Sequence, residues 1–150
     1  MTIGMLFVTT FDLGDKNAKG EKCIMNVFFY VPINGEVEVR LQQEVEGLVS
    51  RKKRVVCRTI DRLFRKLQQV PMDQSIAVLL AANLEDLFDL FSIRNLLEEI
   101  KIILILPDRE KRTVAMGHIL RPRFLSYADS NFKDVGAVLR KMMLIENKNN

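Results

Sequence analysis

Asp108 and Asp129 are the residues whose type best suits chemistry, since each closes an apolar run, KIILILPD and PRFLSYAD. Paired carboxylates at strand ends can hold a metal ion or divide acid and base work between them. A plainer role competes with that one. Asn34, Asn83, Asp108 and Ser130 each stand just ahead of a helical pattern, where a short polar side chain accepts the free N–H groups of the first turn, and capping is the stronger reading. Ser126 has no adjacent base, and the sole histidine, His118, falls near the end of a helical pattern, so no nucleophile and base pair up by spacing. No glycine-rich phosphate loop follows the first strand, and Cys23 and Cys57 form no Cys-x-x-Cys or Cys/His cluster. Neither a cofactor nor a metal is therefore expected, and the catalytic set is empty.

A second constellation is electrostatic. The net charge is only +4, but RKKRVVCRTIDRLFRK concentrates Arg51, Lys52, Lys53, Arg54, Arg58, Arg62, Arg65 and Lys66 around the single acid Asp61. Such a block can bind phosphates or an acidic partner, with Arg51, Lys52, Lys53, Arg54 and Arg58 as candidate anion ligands. Phe64 is assigned to the buried side, so the block lacks interleaved exposed aromatics, as it lacks any nucleic-acid motif, and a solvated helix face beside a basic turn explains it equally well.

The elements that must position these residues alternate regularly. NVFFYVP, KRVVCRT, IAVLLAAN, KIILILPD and PRFLSY read as strands. Helical spacing follows each: Val37, Leu41, Val45 and Leu48; Ile60, Leu63, Phe64 and Leu67; Leu84, Leu87, Phe88 and Phe91; a more polar stretch from Arg109 to Leu120; then Phe132, Val135, Leu139, Met142 and Met143. Five strands each followed by a helix, with the third and fourth apolar throughout, predict an α/β fold whose parallel sheet is covered on both faces. Right-handed crossovers favour the doubly wound, flavodoxin-like order 2-1-3-4-5, with a ligand crevice at the carboxyl ends of strands one and three.

A length of 150 residues with 48% hydrophobic content fits one domain, from residue 25 to about 146, followed by a polar tail at 147–150. Free cysteines, the absence of a basic flank before the first apolar run and the lack of a ~20-residue apolar stretch predict a cytoplasmic, membrane-free chain. Residues 1–24 are an extension of uncertain role. MLFVTTFDL and CIMNVFFYV suggest a hairpin, and Lys19, Gly20 and Glu21 fit a purine-rich ribosome-binding sequence that would make Met25 the natural start.

From about Asn26 to Met143 the chain resembles the receiver domain of bacterial two-component response regulators. Element order and length, the AVLL strand leading into a helix, the KIILILPD strand and the PRFLSYADSNFKDVGAVLRKM ending carry the likeness. Receivers use an acidic pair after the first strand for magnesium, an aspartate at the end of the third strand as phosphoryl acceptor, and a hydroxyl residue and a lysine after the fourth and fifth. The corresponding positions here read Pro32, Ile33 and Asn34, then Ala81, Pro107 and Tyr127. The resemblance thus implies a degenerate, pseudo-receiver form: a signalling or scaffold module acting through protein contacts, not an enzyme. The face from Arg109 onward, with Arg112, Met116, His118, Ile119 and Tyr127, is the candidate interaction surface, and a homodimer through residues 109–145 is one form such contacts could take. A binding protein for an anionic ligand or nucleic acid is the alternative.

Overall fold

The computed structural model describes residues 26–32 and 35–148. The first arm of the suggested hairpin, residues 5–13, lies outside the described residues, as do Ile33 and Asn34, while the second arm contains β1, which pairs on both edges with β2 and β3. Five strands form one parallel sheet: β1 (Asn26–Tyr30), β2 (Arg54–Cys57), β3 (Ser75–Leu80), β4 (Lys101–Leu106) and β5 (Phe124–Tyr127), in the order β2-β1-β3-β4-β5. The helices are α1 (Glu36–Val45), α2 (Ile60–Leu67), α3 (Leu84–Ser92), the single turn α4 (Arg94–Leu97), α5 (Lys111–Ile119) and α6 (Lys133–Lys148). This is the doubly wound, flavodoxin-like arrangement that the sequence predicts.

Alternation along the strands divides the core. Phe28, Tyr30, Ala77, Leu79, Ala81, Leu104 and Leu106 point to the face covered by α2 to α5, where Leu63, Leu67, Leu87, Leu90 and Leu97 meet them. Val27, Phe29, Val31, Ile76, Val78, Ile103 and Ile105 point to the other face, under α1 and α6. Because β1, β3 and β4 are buried on both faces, they carry apolar residues at every position after the first. On the second face α1 and α6 approach closely: a Cβ at Gly136 would stand 3.1 Å from the Glu44 carbonyl oxygen. Gly47, at φ 84°, supplies the left-handed turn just beyond α1.

Two expected core positions are corrected. Phe64 and Phe88, assigned by spacing to the buried faces of their helices, are 40% and 54% exposed. Each sits one residue past a fully buried leucine, Leu63 or Leu87, at the edge of the apolar arc where the sheet no longer covers it. Leu90 takes the core place on α3 instead. The last helix runs on to Lys148, two residues into the stretch read as a polar tail.

Candidate functional site

The carboxyl ends of β1, β3, β4 and β5 meet where a ligand would enter a doubly wound sheet. Ala81 follows β3 and is fully buried, its N–H donating to the Ile105 carbonyl at 2.9 Å. The next N–H, from Ala82, donates to Asp86 Oδ2 at 2.8 Å, while Asn83 Oδ1 accepts from the Asp86 N–H at 2.9 Å. This reciprocal pair satisfies the start of α3, so Asn83 caps as expected and Asp86, on the first turn, is turned inward to the strand end. The β3 terminus therefore offers a methyl group and occupied N–H groups.

At the end of β4, Asp108 Oδ1 accepts from the Glu110 N–H at 3.0 Å, in the turn that leads into α5. Asp129, past β5, instead pairs with Arg109 at 2.6 Å, and that hydrogen bond holds its carboxyl below the usual aspartate range and raises the guanidinium above its own. The same guanidinium lies 4.2 Å from the centroid of the Tyr127 ring. The two aspartates are thus engaged separately, one with backbone and one with a cation. Among the described residues, no group of three or more His, Cys, Asp or Glu could hold a metal ion.

Ser126 is buried, with its Oγ 3.2 Å from Ser130 Oγ and 3.5 Å from Asp134 Oδ2. Ser130 Oγ also accepts from the Phe132 N–H at 3.2 Å, so it closes the turn ahead of α6 and does not cap the helix itself. In that turn Phe132 adopts φ 63°, a left-handed conformation costly for a bulky side chain. Arg40, reaching across from α1, fastens the same turn: it donates to the Ala128 carbonyl at 2.9 Å and to the Ser130 carbonyl, and its guanidinium lies 5.1 Å from the Phe132 ring centroid. A third cation, Arg58, pairs with Glu38 at 2.5 Å and donates to the Val31 carbonyl at 3.4 Å. The hydrogen bond it donates to Glu38 raises the Arg58 guanidinium above its ordinary value. Arg40, Glu38 and Tyr30 escaped sequence reasoning. Tyr30 is buried, and desolvation, with help from the Asp86 and Asp89 carboxylates, pushes its hydroxyl up to about 12.

The basic block does not assemble into one patch. Arg54 opens β2, with Arg51, Lys52 and Lys53 in the turn before it, whereas Arg58 follows the strand. Four strand residues rise roughly 13 Å, which puts these groups at opposite ends of the sheet. Arg54 is further committed to the Val49 carbonyl at 2.8 Å. An apolar cleft lined by Phe29, Val31, Leu41, Val45 and Val56 beside the β2 edge has a volume of about 20 Å³, room for little more than a water molecule.

The proposed interaction residues divide similarly. Arg112, Met116 and Ile119 share one side of α5 by their i, i+4, i+7 spacing, with Ile119 59% exposed and Met116 half-buried. His118 is exposed on another side of the helix, and Arg109 and Tyr127 belong to the crevice. Pro32 and Pro107 stand half-buried after β1 and β4. Cys57 is buried and free; burial pushes its thiol up, against the opposing pull of Arg62 and Lys66. No helix among the described residues is long and apolar enough to cross a membrane. The chain matches no protein-family model, no curated protein and no solved structure.

Proposed function

We propose that the chain is a bacterial, cytoplasmic receiver-like module of a signal-transduction system that works through protein contacts and takes up no phosphoryl group. The observation that carries this reading is Ala81, a fully buried methyl at the carboxyl end of β3 in a sheet of order 2-1-3-4-5. A methyl cannot accept a phosphoryl group, and its neighbours at this end are engaged with one another, Asp86 with Ala82 and Arg109 with Asp129. What is left to recognise is a surface. Residues 109–145 carry eight lysines and arginines against three acids, and α5 adds the exposed Ile119. This face suits an acidic partner with an apolar anchor point, and its like charge disfavours docking on a second copy of itself. The alternative reading, an anionic ligand on residues 51–58, is weakened because Arg54 and Arg58 are already bonded internally.

A photo-crosslinking amino acid at position 119 tests the partner face in cells. One discrete adduct is expected, lost on Arg112→Glu in the same chain and indifferent to added phosphodonor. No adduct, or one that persists through the charge reversal, would count against this surface.

A further inference from the structure

The helices α2 and α3 lie on the same face of the sheet over neighbouring strands. The Tyr30 hydroxyl on β1 feels the carboxylates of Asp86 and Asp89 from α3, while its register partner on β2, Cys57, feels Arg62 and Lys66 from α2. The two helices are opposite in charge. α2 exposes Arg62 and Arg65 beside Lys66, with Asp61 the single acid among them, and an open groove of about 430 Å³ is lined by all four. α3 exposes Glu85 and Asp89, with Glu98 and Glu99 following α4. None of these groups forms an ion pair among the described residues. Each helix also exposes one phenylalanine, Phe64 on α2 and Phe88 on α3, the latter edge-on to Phe91 with 6.3 Å between ring centroids.

We propose that α2 and α3 together form a self-complementary face through which two copies of the chain dimerise, α2 of each lying against α3 of the other. A two-fold axis parallel to the helices and midway between them produces this pairing: rotation about it carries the basic helix opposite the acidic one twice over, and closes the assembly at two subunits. The exposed phenylalanines add apolar contact, and the charges set the register and exclude the alternative two-fold that would stack α2 on α2. Charge complementarity selects a second copy as occupant because both halves of the match are present on one surface. The inference stands apart from the partner proposed for α5, since it rests on α2 and α3 and on none of the residues named for that partner.

Charge reversal tests it with the full chain. Arg62→Glu with Arg65→Glu makes both helices acidic; Glu85→Lys with Asp89→Lys makes both basic. All four positions are exposed, so circular dichroism should show both proteins folded. By sedimentation equilibrium at low salt and about 100 µM, the unaltered chain should have twice its 17.3 kDa mass, each reversed protein should be monomeric, and an equimolar mixture of the two should regain the doubled mass as a heterodimer. Phe88→Ser provides a variant without charge change and should weaken the dimer at least tenfold. An unaltered chain that is monomeric under these conditions, a dimer that survives both reversals, or reversed proteins that stay monomeric when mixed would each overturn the proposal.

Discussion

Replacing Ala81 with aspartate puts in place the residue type a receiver would have and should damage the protein instead of activating it. The site is fully closed to solvent, lies in the cluster that contains Tyr30, Leu79 and Leu87, and adjoins the Asp86 carboxylate bonded to Ala82. A carboxyl there meets desolvation and a like charge, both of which raise its pKa above the unfolded value of about 3.9. A rise of some two to three pH units corresponds to a loss of about 3–4 kcal/mol at pH 7. The sign follows from linkage. With the folded value raised, the unfolded state binds fewer protons between the two values, so the loss is complete above the folded pKa and fades as pH falls toward about 4. Urea melts at about pH 7 and about pH 5, with Ala81→Asn as the uncharged control, measure it. Ala81→Asp should recover a large part of its deficit at the lower pH relative to native protein, while Ala81→Asn keeps its own. An undiminished midpoint at neutral pH, or a deficit that ignores pH, would refute the reasoning.

Other substitutions probe the parts that shape this end of the sheet. Arg40→Met removes two charged donations to the Ala128 and Ser130 carbonyls and should cost roughly 2–4 kcal/mol in a urea melt. Gly136→Ala drives a methyl to 3.1 Å from the Glu44 carbonyl and should cost about 1–3 kcal/mol, whereas Ala137→Ser on the exposed side of α6 should leave the midpoint in place. Asp129→Asn breaks an exposed pair and should not move the melting temperature measurably. Tyr30 should ionise near 12 in an ultraviolet difference titration, and Asp89→Asn should lower that value; since the folded pKa is raised, stability is intact below about 10 and is lost as pH climbs from there to about 12.

The fold was legible because burial on both faces leaves a strong trace: IAVLL and IILIL have no polar alternation, and only a central parallel strand needs that. The Asn83 cap was legible for the same kind of local reason, its acceptor lying within three residues of its donor. Arg40 was not, since its carbonyl partners stand 88 and 90 residues away and nothing near it in the chain announces them. The Arg109–Asp129 pair joins two βα loops and Arg58–Glu38 joins a βα loop to α1, so Asp129 and Arg58 are each engaged with a residue distant in the chain. Phe64 and Phe88 show the limit of periodicity on helices of eight and nine residues, where it locates the buried side but not its edge.

The central claim is that this site has no phosphoryl chemistry, and intact-protein mass spectrometry after incubation with acetyl phosphate and magnesium tests it most directly. The mass should be unchanged, and the unaltered chain should gain no thermal stability from magnesium with beryllofluoride. A stoichiometric phosphoryl adduct on an aspartate of this end of the sheet, whether Asp86, Asp108 or Asp129, would contradict the account.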